Sequence, residues 1–411
     1  MIANTVAAVL VVVLIAYAAL AGADFGGGIW DGLAGSTQRG AAPRRRIDES
    51  VGPVWESNHV WLIIALVVLW TGFPMAFADV FTTLFVPLSV AALGIVLRGS
   101  GFAFRSQLRS LRWQAITGGV FALSSLLTPF FLGTVIGAIV TGRVRGARGD
   151  PVTSWVNPTS LLTGALFVVF SAYLAAVYLA VDSERAGEHQ LRAYFTRRAI
   201  AAGGCSGVLA GITLAVLHTS APRVFTNLTT GRALPLVVVS VLAGAAVLIL
   251  LVLDKVRLAR PLAALAVAAV AAGWAIAQYP YLLPPGLTIA ASAAPTGTEA
   301  TELVVVFIIV VLVAPAFVLL FRLAQGGHLR DSEAALAGTA PQTYPAARRA
   351  ARSGTPRQAG GSGGAAASAD AKRSASTATF PHPRLVNILL AAAIAIRVIQ
   401  RLRGRAGRPS G

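Results

Sequence analysis

Nine stretches of this chain are apolar on every face, and short polar connections separate them. They run over approximately 3–23, 59–78, 80–98, 115–141, 158–181, 198–218, 233–253, 261–279 and 302–322. A bilayer core is spanned by roughly 20 apolar residues of helix, and each stretch approaches that length. Strands that cross a bilayer are shorter and alternate in polarity, whereas 236–253 is apolar all round except at Ser240, so helices are required. Pro87, Pro129 and Pro315 fall within these stretches and predict kinks that free a backbone carbonyl. The expected fold is an all-α integral membrane protein of nine transmembrane helices, as two four-helix bundles plus one peripheral helix. The first stretch has no Lys or Arg ahead of it and reads as a retained helix rather than a cleaved signal peptide.

Composition agrees with that pattern and removes several function classes. With 56% hydrophobic and 12% charged residues and a mean hydropathy of +0.72, the 411-residue chain lies far from a soluble domain. One cysteine, Cys205, excludes an internal disulfide and is too few for a zinc or iron–sulfur site; among Ala and Gly it is expected to pack at a close helix contact. After Arg322 the character changes. Residues 1–325 form the expected nine-helix domain and 326–383 a low-complexity disordered linker of Ala, Gly, Ser, Pro and Arg. Residues 384–411 form a basic tail, whose apolar run 385–396 is short for a crossing and suits an interfacial helix.

A net charge of +18 would suggest nucleic acid in a soluble protein, but its distribution reads as topology. Fifteen basic residues fall in alternate connections: Arg39, Arg44, Arg45 and Arg46; Arg98, Arg105, Arg109 and Arg112; Arg185, Arg192, Arg197 and Arg198; Lys255, Arg257 and Arg260. The opposite connections hold five, Arg143, Arg145, Arg148, Arg223 and Arg232. The positive-inside rule then puts the N-terminus outside and the C-terminus in the cytoplasm. It also puts Asp24, Asp31 and Glu56 toward the cytoplasmic face.

Those acids are the candidate chemistry, because an ionisable group beside the bilayer core needs a partner, a bundle interior or a wet path. Asp24 falls where the first apolar stretch ends, a position at which a helix dipole disfavours an anion, so it calls for another reason. Glu56 is flanked by Trp55, Asn58, His59 and Trp61. It suits a dipole-favoured helix start with an aromatic belt equally with a proton-accepting carboxylate that hands protons on through His59 or water. Asp31 reads as a solvated loop residue. Gly26-Gly27-Gly28 is no phosphate loop and suits a tight exit or close packing. Glu302 sits at the start of the last stretch, where the dipole alone accounts for it. Arg98, Arg105, Arg109 and Arg112 with Trp113, like Trp55 and Trp61, are candidates for contact with lipid headgroups or a partner subunit. Axial heme ligation needs His, Met, Cys or Tyr at membrane depth. His59 and His218 stand at opposite ends of their stretches, and His189, His328 and His382 lie in loops or the tail, so no metal or heme site is expected here.

At these motifs the sequence resembles the second subunit of bd-type quinol oxidases. The resemblance rests on Gly22 through Gly28, on Gly52 through Leu62 and on Arg98 through Trp113, with weaker agreement at Asn157-Pro158 and Tyr279-Pro280, and covers roughly the first 325 residues. Ala21 stands where some members carry a further Asp. The family implies a complex that oxidises membrane quinol and reduces dioxygen to water. It also implies that heme b, heme d and quinol oxidation belong to the partner, subunit I, and that small accessory subunits and lipid are further contacts. Asp24 and Glu56 match acids implicated in proton supply, with His59 beside them, and no catalytic residue is expected in this chain. The resemblance implies a prokaryotic cell membrane. A proton-coupled secondary transporter and a purely structural subunit are the alternatives; the transporter would call for a charged midplane site and broken repeat helices, which are not legible.

Overall fold

A computed structural model of the chain describes residues 1–35, 40–105 and 111–325; the side chains of 51–57, 102–115, 147, 257, 313–314 and 316–325 are outside that description. The expected linker at 326–383 and tail at 384–411 lie outside the described residues. The elements are α1 Ile2–Gly32, α2 Ala41–Gly72, α3 Pro74–Thr83, α4 Phe85–Arg105, α5 Leu111–Val140, α6 Pro158–Arg185 and α7 His189–Ser220. There follow α8 Pro222–Thr229, α9 Leu234–Val252, α10 Ala259–Gln278, α11 Ile289–Ser292 and α12 Thr296–Gln325. A two-stranded antiparallel ribbon, β1 Tyr281–Leu283 and β2 Leu287–Thr288, joins α10 to α11.

Six described helices are long and apolar enough to cross a membrane, α1, α5, α6, α7, α9 and α10, and α2 with α3 adds a seventh if that bent pair is one span. Most helices outrun their apolar stretches. A bilayer limits the length of the apolar segment and not the helix, which continues into water wherever its backbone bonds can close. Thus α1 ends at Gly32 rather than near residue 23, and α2 begins at Ala41 rather than at 59.

The expected stretch 59–78 is not one straight helix. The residue before a proline is pushed out of the α region, and Phe73, before Pro74, takes φ −135° and ψ 63°. There α2 stops, and α3 departs at 116° with Pro74 at its start. Phe73 is fully buried, so the bend is packed in place. Pro87 lies in the first turn of α4, where the missing N–H costs little, whereas Pro129 and Pro315 lie inside α5 and α12.

The first helix is the hub: α1 packs against α2, α5, α6, α10 and α12. Its first half joins Val68, Phe73, Val80, Leu84 and Val135 in one apolar cluster, while Ile29 near its end joins Leu174, Val177, Val181, Val247 and Leu251 in another. One end of the bundle is tied by ion pairs. Arg45 and Arg46 reach Glu188 at 2.7 and 2.6 Å, Arg260 reaches Asp182 at 3.1 Å and Arg192 reaches Asp254 at 3.1 Å. The other end is tied by neutral and one-charge bonds: Thr83 to the Gly146 carbonyl at 2.9 Å, Asn227 to that of Ala277 at 2.8 Å, and Thr71 to the Glu302 carboxylate at 2.7 Å. Glu302 therefore holds α12 to α2, beyond any dipole role.

Asn157 caps α6, its side chain accepting from the Ser160 N–H at 3.0 Å just ahead of Pro158. Asn157→Ala is expected to cost about 1 kcal/mol, the usual worth of an N-cap side chain, measurable as a lowered unfolding temperature of the purified protein. Cys205 is exposed on α7 rather than set in a helix contact.

Candidate functional site

Asp24 is fully buried, about 12 Å of helix rise inside the end of α1 at 1.5 Å per residue. The expectation that it marks a helix C-terminus is therefore corrected, since the helix runs on through Gly26, Gly27 and Gly28. The glycines explain how. On Gly26 a Cβ would overlap the main-chain oxygen of Ser171 in α6, and on Gly22 it would come within 2.7 Å of Leu174. On Gly28 it would overlap the Ser125 hydroxyl of α5, and on Gly32 it would come within 2.8 Å of Ala122. The chain thus carries two small-residue ridges of four-residue spacing, Gly22 with Gly26 facing α6 and Gly28 with Gly32 facing α5, which let backbones approach as in membrane helix pairs.

Into that close junction α4 delivers Arg98, of which 3% is exposed. Its Nη2 donates to Asp24 Oδ1 at 2.7 Å and to the Asp24 main-chain oxygen at 2.6 Å, and its Nη1 donates to Asp24 Oδ2. Nε donates to Ser125 Oγ at 2.9 Å, and that hydroxyl donates to the Phe121 carbonyl at 2.7 Å. Phe25 and Phe121 flank the guanidinium, with ring centroids 5.2 and 4.8 Å from Cζ. A fork of donors meeting a carboxylate on two oxygens is the strong geometry for a buried ion pair. Arg98 is thereby corrected from a lipid or partner contact to an internal counter-charge.

Two polar groups beside the pair have capacity to spare. Asn58 Nδ2 points to Asp24 Oδ2 at 3.4 Å, a long contact, while its buried Oδ1 has no hydrogen-bond partner among the described residues. Tyr17 lies two turns before Asp24 on the same side of α1, and its buried hydroxyl is likewise unpartnered among the described residues. Asp24 also borders a cavity of about 20 Å³, lined in addition by Ala23, Ser50, Ala175, Tyr178, Leu179, Asp182 and Arg260.

The remaining sequence candidates divide. His59 is half-buried on α2 beside Asn58, and Trp61 is half-buried against the Tyr17 and Phe25 cluster. Asp31 is buried in the last turn of α1 and pairs with Arg44 Nε at 3.7 Å, which corrects the solvated-loop reading. The side chains of Trp55, Glu56, Arg105, Arg112 and Trp113, and Arg109 altogether, lie outside the described residues; Glu56 is placed only as a residue of α2, two before Asn58. Sequence reading passed over Asn58 as a partner of Asp24, and Tyr17, Ser50, Ser125, Tyr178 and Asp182 altogether, and it took Arg260 only as a topology signal. Arg98 did carry a signal: apolar residues flank it on both sides, from Ala91 to Leu97 and again at Phe102 and Phe104.

His218 is exposed with its ring edge-on to Phe225 at 4.9 Å, Met75 is exposed, and no group of three or more His, Cys, Asp or Glu is assembled among the described residues. What these side chains support is charge stabilisation and proton movement.

A profile of cytochrome bd terminal oxidase subunit II matches residues 2–324, most of the chain. The chain belongs to this family. Among curated relatives it is 29% identical over 160 residues to cytochrome bd ubiquinol oxidase subunit 2 of Bacillus subtilis, a match covering 38% of this chain and 46% of that protein. It is 28% identical over 197 residues to cytochrome bd-I ubiquinol oxidase subunit 2 of Escherichia coli, covering 46% and 51%. The matches span about half the length of these curated relatives. Its fold is similar to a chain of the bd oxidase from Geobacillus thermodenitrificans, with TM-score 0.67 and 26% identity over 78% of this chain and 98% of that one. Family and apolar helices together make this subunit II homologue a polytopic membrane protein.

Proposed function

We propose that this chain is the second subunit of a quinol-oxidising, dioxygen-reducing bd-type oxidase in a prokaryotic plasma membrane, and that it carries protons from the cytoplasm toward a heme-bearing subunit I. Hemes b and d and the quinol site belong to that partner in this reading. The observation that carries it is the burial of Asp24 well inside the bundle, held by Arg98 and bordered by Asn58 Oδ1 and the Tyr17 hydroxyl, which have no hydrogen-bond partner among the described residues. Buried charges inside membrane proteins mark ion and proton routes. Glu56 and His59, on the α2 segment that also carries Asn58, are the proposed relay between bulk water and Asp24.

The reading includes nine crossings: the six long apolar helices, α2 with its bend, α4 and α12, grouped as two four-helix bundles plus one. The ion-paired end, richest in arginine, faces the cytoplasm, which puts the N-terminus outside.

The test is purification of the tagged chain from native membranes followed by oxygen-uptake measurement. A d-heme absorbance band should copurify, and Glu56→Gln should slow oxygen consumption several-fold while leaving the heme content unchanged. A colourless product would remove the oxidase assignment. An assembled Glu56→Gln complex with normal turnover would remove Glu56 from the proton route.

A further inference from the structure

The relay through Glu56 and His59 approaches Asp24 from α2. A cavity bordered by α2, α6 and α10 also reaches Asp24, and there the chain places a second carboxylate. Asp182 lies near the end of α6, about a fifth exposed, with Arg260 Nη1 donating to its Oδ1 at 3.1 Å and Arg185 at 4.0 Å. Arg260 also covers the ring of Tyr178, one turn back on α6, at 4.5 Å from its centroid. Asp182, Tyr178 and Arg260 share one cavity with Asp24 and Ser50. At about 20 Å³ it exceeds the roughly 10–15 Å³ that one water needs. Its lining residues are Asp24, Ser50, Tyr178, Asp182 and Arg260 among Ala23, Ala175 and Leu179, and an ordered water needs about two to four polar partners.

We propose that Asp182 is a second proton intake, passing protons through a single water in this cavity to Asp24. The inference rests on the proton-supply reading of Asp24 given above and adds a route to it. The step is balanced. The Asp182 carboxylate takes a proton from bulk water and gives it to the cavity water, which releases one of its own to Asp24, so Asp182 and the water return to their starting states. Asp24 is restored when it passes the proton inward.

The buried pair is built to tolerate that transfer. When Asp24 is neutral, Arg98 still donates to the Asp24 main-chain oxygen at 2.6 Å and to Ser125 Oγ at 2.9 Å, so the guanidinium stays seated while the carboxyl changes charge. Arg260 plays a positioning part, aiming Asp182 at the cavity while covering Tyr178.

The experiment compares Asp182→Asn, Asp182→Glu and Glu56→Gln in the purified holo-complex, reading turnover, heme content and the solvent deuterium isotope effect on oxygen consumption. The expected result is a several-fold slower Asp182→Asn complex with full heme content and an enlarged isotope effect, and recovery in Asp182→Glu. A merely structural loss of the Arg260 ion pair would lower turnover or heme content without moving the isotope effect, and would overturn the proposal. So would normal turnover in Asp182→Asn: if Glu56→Gln is then slow, the α2 relay stands alone, and if it is normal too, proton supply through Asp24 fails with it. Slow turnover in both variants supports two intakes converging on Asp24. A slow Asp182→Asn beside a normal Glu56→Gln supports the α6 intake and removes the α2 relay.

Discussion

Arg98→Gln is expected to destabilise the folded chain by about 3–5 kcal/mol, because it leaves the carboxylate of Asp24 charged, buried and without its counter-ion. Asp24→Asn should cost less, because Arg98 keeps its bonds to the residue-24 main-chain oxygen and to Ser125 Oγ. The double variant Asp24→Asn/Arg98→Gln removes both charges and should recover most of the loss, since a buried pair replaced as a unit is often nearly neutral. Denaturant titration of the purified complexes, arranged as a double-mutant cycle, measures this. Strictly additive losses would mean that the two side chains do not act as a pair. Recovered stability without recovered oxygen consumption would separate the structural duty of Asp24 from its proposed part in proton supply. Ser125→Ala is the milder companion. It removes the acceptor of Arg98 Nε and leaves the carboxylate contacts in place.

The second large effect is expected at Gly26. Gly26→Ala places a methyl group onto the main-chain oxygen of Ser171, and Ala175 Cβ lies 2.6 Å away. Overpacking a core costs about 1–3 kcal/mol when side chains can yield. Here a backbone must move, so the loss should reach or exceed that range and appear as failure of heme-containing complex to accumulate. Gly204→Ala on α7 is the control, because nothing lies within 4 Å of its added Cβ. It should be neutral or stabilise by up to about 1 kcal/mol, the helix-propensity difference between the two residues. Equal damage from both substitutions would show that helix packing at Gly26 is not the cause.

The helical, membrane-crossing character of the chain was legible because apolar runs near 20 residues have few other uses. The ends of the helices were not. Hydropathy reports where lipid stops, and α1 crosses that boundary without changing its backbone, so Asp24 and the three glycines looked like a terminus while being the interior of a helix. Pro74 was the missed breaker: the apolar run continues across it, and only its effect on Phe73 ends α2. At the site, Asp24 was found because a lone acid beside hydrocarbon is conspicuous. Its partner was hidden by a counting rule, since an arginine totalled as a topology signal is presumed to face headgroups. Nothing local could pair residues 74 positions apart, but the two solitary charges in apolar surroundings, of opposite sign, were the usable clue.

The distance along the chain between those charges bears on how the protein is made. Translation delivers the acid in the first helix and the base only in the fourth, so the nascent α1 meets the insertion machinery with an uncompensated anion. Translocon measurements put such a group at about 2.5–3.5 kcal/mol when central in a helix, less than the rest of α1, rich in Val, Leu and Ala, returns on leaving water. The first helix can therefore enter alone, but its lasting place depends on a partner synthesised later. Truncated chains that stop short of Arg98 should leave α1 easily extracted and quickly degraded, and chains that extend past it should not.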